Sequence, residues 1–208
     1  MEIIKCTIDN MQLIFEDIGK IIQVIEEQML NNGFQPKGDS GCTWENSSSL
    51  YNPNNWLFKY FARFYMKDSS LKQGVGFCIH LRAYEHTNIE KFKQLSLSLP
   101  VMNVSLLRLN KPCHDIARNA IYNLLWGSGW VNDDWIRRKK ISNNMIVRSD
   151  ILDDDVNGSA ITYFINPLLL SSSLKVKNNV TDPLINLFKG EDDLLLKSKL
   201  PIIRIPSV

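Results

Sequence analysis

The stretch WLFKYFARFYMKDSSLKQGVGFCIHLRAY, residues Trp56–Tyr84, decides the fold. It holds two runs, 56–67 and 74–84, in which side-chain character alternates, joined by DSSLKQ. Successive side chains on a strand point to opposite faces, so this pattern predicts an antiparallel hairpin. With the turn centred between Ser70 and Leu71, the numbers of facing residues sum to about 141, and that register sets which faces coincide. One face then carries Phe58, Tyr60, Ala62, Phe64 and Met66 with Val75, Phe77, Ile79 and Leu81, and is core. The other carries Lys59, Phe61, Arg63, Tyr65 and Lys67 with Cys78, His80, Arg82 and Tyr84. Cations and rings on one sheet face suit an anionic or protein partner.

Outward from the hairpin, Met11, Ile14, Phe15, Ile18, Ile21, Ile22, Ile25 and Met29 recur with helical spacing. They predict an amphipathic helix over 8–31, stopped by Asn31-Asn32-Gly33. Residues 33–55 read as a polar loop with a short strand at Cys42–Leu50, and 88–95 as a short helix. LSLSLP and VMNVSLLRLN predict one strand, bent near Pro100, and Pro112 opens a helix that ends at Gly127. WGSGWVNDDWIRRKK reads as an irregular connection with exposed charge. MIVRSDIL and SAITYFI flank DDDVNG, where Asn157-Gly158 signals the hairpin turn. A short helix over 181–189 is capped by Thr181, and LPIIRIP closes the chain as an edge strand. Without a regular βαβ alternation, the expected class is α+β. It is a mainly antiparallel sheet with a long N-terminal amphipathic helix packed on one face. One domain over 1–208 is expected, its C-terminal end elaborated from about 141.

Composition limits the functional classes. The chain has 208 residues, of which 44% are hydrophobic and 22% charged, enough for a core without metals or disulfides. The net charge of +2 provides no global basic field, so anion binding needs a local patch. No secretory pattern or membrane-spanning run is evident, so a cytoplasmic protein with free thiols and no membrane partner is expected.

Catalytic signatures fail on spacing. Cys113-His114-Asp115 are sequence neighbours and cannot form an oriented relay, and GSG at 127–129 is no nucleophile elbow. Cys78, His80, His86, Cys113 and His114 lack the paired spacing of a zinc site. Asp153-x-Asp155-x-Asn157-Gly158 opens like a calcium loop but meets Phe164 where a bidentate Glu belongs. No cofactor or metal is expected. The expectation is a non-catalytic binding or adaptor protein, a subunit of a larger bacterial or phage assembly. Its contacts would be the hairpin face, Trp130 and Trp135, and Arg137 and Arg138, with another protein chain as partner. Two other readings are a nucleic-acid binder using the basic-aromatic face over 56–84, and an enzyme assembled from scattered residues such as Asp39, Glu45, His80 and His114.

Overall fold

The computed structural model describes residues 2–37, 60–67, 72–81, 100–110, 136–142, 146–152, 157–191 and 200–202. The alternating segments pair into one antiparallel sheet. Its strands are β1 (Gln35–Lys37), β2 (Tyr60–Met66), β3 (Gln73–His80), β4 (Val101–Leu109), β5 (Ile136–Ser142), β6 (Ile146–Leu152) and β7 (Asn157–Ile165). Their order is β1-β2-β3-β4-β7-β6-β5, so β7 is inserted beside β4 in the middle of the sheet. With one helix before the first strand and further helices after the last, the α+β class holds. The expected elements at Cys42–Leu50, 88–95 and 112–127 lie outside the described residues.

Helix α1 (Glu2–Asn31) begins earlier than its periodicity suggests, because Glu2–Asn10 continue the helix while remaining exposed. Its end is as expected. Gly33 has φ +80°, its N–H donates to Leu30 O, and the Phe34 N–H donates to Met29 O. These two reverse bonds form a Schellman stop, and glycine supplies the left-handed residue at little steric cost.

The β2–β3 hairpin forms, but its register differs from the expected one by a residue. Phe61 faces Ile79, Arg63 faces Phe77, and Tyr65 faces Val75. The cause is steric. Phe64 and Met66 share a face with Gly74 and Gly76, and a Cβ at Gly74 would overlap the Phe64 ring. Bulk on β2 is therefore matched by glycine on β3, and Val75, Phe77 and Ile79 turn to the other face. A shift of one residue moves every β3 side chain across the sheet.

On that other face a single apolar cluster forms. It joins Ile18, Ile22, Ile25 and Met29 of α1 to Tyr65, Phe77, Val104, Ile161 and Tyr163 of four strands. Val176, Val180, Leu184 and Leu187 from the helical segment after β7 belong to the same cluster. That segment runs from α2 (Ser173–Val176) through a π turn (Lys177–Thr181) into α3 (Asp182–Phe188). Thr181 is not the side-chain cap expected of it. Its backbone is helical, and its hydroxyl bonds Gln28 Oε1 of α1 and Lys177 O.

The π turn reflects Pro183. Proline has no N–H for the carbonyl four residues back and its ring crowds it, which favours a widened turn there. That carbonyl, Asn179 O, instead accepts from the Tyr163 hydroxyl at 2.9 Å. Tyr163→Phe should therefore cost about 1–2 kcal/mol in urea unfolding, since it strips the donor from a part-buried carbonyl. The exit of α3 is served in the same way. Gln73 Nε2 donates to Phe188 O and Arg108 to Leu187 O, giving the last carbonyls partners and placing a cation at the negative helix end.

Two further expectations change. The β6–β7 hairpin exists, but Leu152 pairs with Asn157, so Asn157-Gly158 lies in the strand and the connection is 153–156. Gly158 is needed for space instead, since a Cβ there would overlap the Arg108 carbonyl oxygen. The charged residues Arg137–Lys140 are no irregular connection; they lie in edge strand β5, with a register shift between Arg138 and Lys140. Charge and a bulge on an edge discourage pairing with other chains. Of the closing strand, the described part is a single bridge between Ile165 and Ile202.

Candidate functional site

The residues expected to share one exposed face are separated by the observed register. Arg63, Tyr65 and Phe61 point to the α1 side, whereas His80 points to the opposite face with Ala62 and Cys78. Arg63 is 9% exposed and its guanidinium contacts both oxygens of Glu26 on α1 at 2.6 Å. Tyr65 is wholly buried, and Phe61 meets Phe15 of α1 edge to face with ring centroids 6.1 Å apart. Lys67 is exposed and sits over the Phe34 ring, 5.4 Å from its centroid. Arg137 and Arg138 pair through their backbones with Asp150 and Ser149. Lys59, Arg82, Tyr84, Trp130 and Trp135 lie outside the described residues.

The opposite face is also buried and carries a polar row. Cys78 lies directly across from Asn103, and the hydroxyls of Ser105 and Thr162 bond each other at 2.8 Å. Cys, His and Asn are the residue types of thiol catalysis, so the ionisation of Cys78 matters. Burial alone pushes its thiol well above the ordinary 9.0, which disfavours the thiolate nucleophile. Burial likewise raises the Tyr163 phenol well above 10.0. Among the described residues, no group of three or more His, Cys, Asp or Glu side chains is placed to hold a metal. Of the calcium-like stretch, 158–163 lie in β7 and pair with both β4 and β6, and so are not free to wrap an ion.

These shifts have a consequence for stability. Below about pH 9 both groups are neutral in either state, and their contribution to folding is fully present. As pH rises further, the unfolded chain ionises first, so stability falls by up to about 1.4 kcal/mol per pH unit for each group. Urea unfolding across this range should show a shallower decline in Cys78→Ala than in the wild type. In native protein, a thiol reagent should modify exposed Cys6 and spare Cys78, as peptide mass mapping would show.

The open feature is apolar. A cleft of about 410 Å³ runs between α1 and the segment that follows β7. Ile18, Ile21 and Val24 form one wall, Leu170 and Val176 the other, and Ile79 closes the sheet side. At its mouth Ile14 and Leu168 are 48% and 61% exposed, and Leu174 nearby is 65% exposed. Polar groups are confined to the rim: Ser171–Ser173, and Asp17 with Lys20, which pair at 3.0 Å. A concave, largely apolar space with a few rim polar groups is the usual shape of a binding site.

Pro167 and Asn166 shape the second wall. Asn166 Oδ1 accepts from the Leu168 N–H and starts a 3₁₀ turn at Pro167–Leu169, which holds Leu168 and Leu169 outward. Ser172 caps α2 through the Lys175 N–H. Sequence reasoning missed this site. Its only sequence signal is PLLL followed by SSSLK, an apolar run against a helix-start serine, and the opposing wall comes from residues about 150 positions earlier. Comparison with known proteins finds no matching family model, no similar curated protein and no similar solved structure.

Proposed function

We propose that this chain is a non-catalytic binding or adaptor subunit that receives an apolar segment of another protein in the cleft between α1 and the Pro167–Val176 segment. The supporting observation is the cleft itself, whose apolar lining includes the exposed side chains of Ile14 and Leu168. Contiguous apolar surface of this kind costs solvation free energy unless a partner covers it. The polar rim of Ser171, Ser172 and Asp17 resembles the hydrated border of protein interfaces. The basic-aromatic hairpin surface has less support in this role, since Arg63 and Tyr65 are buried.

A photo-crosslinking residue at Leu168, introduced in the native host, tests the reading. The expected product is a discrete adduct with one other protein, lost when Ile14→Glu places a charge in the cleft mouth. Adducts with no protein, or an adduct indifferent to Ile14→Glu, would remove the basis for the proposal. Both positions are exposed, so neither change should disturb the fold.

A further inference from the structure

Two Asn-Gly pairs occur in the chain, Asn32-Gly33 and Asn157-Gly158. Such a pair can rearrange without any enzyme. The Gly amide nitrogen loses its proton and attacks the Asn Cγ. The new N–Cγ bond closes a cyclic imide, and the Cγ–Nδ2 bond breaks with loss of ammonia. Water then opens the imide at either carbonyl, leaving aspartate or isoaspartate. Glycine eases the ring closure because no Cβ obstructs its nitrogen and its backbone turns freely. The chemistry is the same at both pairs, so the fold decides which one reacts.

The strand pair is held against reaction. Gly158 is paired with Leu109 of β4 on one side and Ile151 of β6 on the other. The Asn157 carbonyl accepts from the Asn110 N–H at 2.8 Å, and its Oδ1 accepts from Asn110 Nδ2 at 2.9 Å. For the Gly158 nitrogen to reach Cγ, the extended chain must fold back on itself and leave both neighbouring strands.

The pair at the end of α1 is held less firmly. Asn32 and Gly33 are both exposed. The Gly33 N–H donates to Leu30 O at 2.9 Å within the last turn, and helix ends fray before paired strands open. Gly33 also has room to move, since a Cβ there would meet the flexible end of Lys67 at 3.6 Å and no backbone within 4 Å. The Lys67 Nζ cation lies 3.9 Å from the same point, and a cation favours the loss of the amide proton on which the attack depends.

We infer that Asn32 is a site of spontaneous deamidation in the native protein and that Asn157 is spared. The product weakens the stop of α1. Asn32 Nδ2, which donates to Gln28 O at 2.8 Å, is replaced by a carboxylate oxygen that cannot donate. A negative charge then sits at the negative end of the helix, where a cation is the favoured neighbour. Isoaspartate also lengthens the main chain by one carbon, which displaces Gly33 and Phe34 from the two bonds that end the helix. Phe34 belongs to the core cluster, so conversion loosens the packing at this end of α1. This inference is independent of the cleft.

Incubation of the native protein at mildly alkaline pH, followed by peptide mapping for the mass gain of amide to acid, tests it. Asn32 should convert at least about tenfold faster than Asn157, because a helix end opens more readily than a paired strand. In urea the two should convert at similar rates, which fixes the intrinsic reactivity of each pair. Asn32→Gln should abolish conversion in its peptide, since the longer side chain closes its imide far more slowly. Asn32→Asp, which mimics one product, should lower the urea midpoint. The inference is overturned if native Asn32 stays intact while it converts in urea, if native Asn157 keeps pace with it, or if conversion persists in Asn32→Gln. An Asn32→Asp midpoint equal to wild type would overturn the stated effect on α1.

Discussion

Gly158→Ala is expected to destabilise the protein by about 3 kcal/mol, a large fraction of the 5–15 kcal/mol by which domains are typically stable. Gly158 lies in β7 opposite Leu109 of β4, and its Cβ would overlap the Arg108 carbonyl oxygen and stand 2.9 Å from the Leu109 Cα. Both obstacles are backbone in the middle of the sheet, so no rotamer change relieves them. Either β4 and β7 separate locally and lose ladder hydrogen bonds, or the strain stays in the native state. Gly19→Ala is the matching control. A Cβ at Gly19 meets nothing within 4 Å, and alanine in a helix interior should add about 0.5–1 kcal/mol of stability. Urea midpoints should thus move in opposite directions for the same chemical change. A Gly158→Ala midpoint equal to wild type would show that β4 and β7 do not approach as described.

Glu26→Ala is expected to cost about 3 kcal/mol, the lower end of the range for breaking a buried pair. Arg63 is 9% exposed and Glu26 28%, so the guanidinium is the more deeply placed partner. Removing the carboxylate takes from a buried cation the counter-charge 2.6 Å away, which helps to offset its desolvation. Replacing both residues by leucine should recover part of the loss, since that change removes the cation together with this carboxylate. The double-mutant cycle in urea reports this coupling directly. If the double variant were as unstable as Glu26→Ala, the loss would reside in packing rather than charge. Because the pair joins α1 to β2, Glu26→Ala should also speed amide exchange in both elements.

Much of the architecture was legible in local pattern. The helical spacing from Met11 to Met29 and the Asn31-Asn32-Gly33 stop identified α1, since burial along one stripe and a left-handed stop are properties of neighbouring residues. Alternation located β2, β3, β6 and β7 for the same reason. The candidate cleft was not legible, because its walls are brought together from Ile14–Val24 and Pro167–Val176 and share no local signal. Nor was β5, since charged, bulged edge strands lack apolar alternation.

The sequence by itself therefore determined α1, the strands β2, β3, β4, β6 and β7, and the α+β class, because those follow from side-chain periodicity and turn chemistry over a few residues. Only the tertiary structure decided which face each strand shows. The β2–β3 register turned on the fit of Phe64 over Gly74, a contact between strands, and that one-residue difference sent Arg63 under α1 and His80 to the opposite face. It likewise decided that Gly158 serves a close approach rather than a turn, and that the exposed apolar surface gathers on α1 and at Leu168, because packing distances between segments remote in sequence are set only when the sheet assembles.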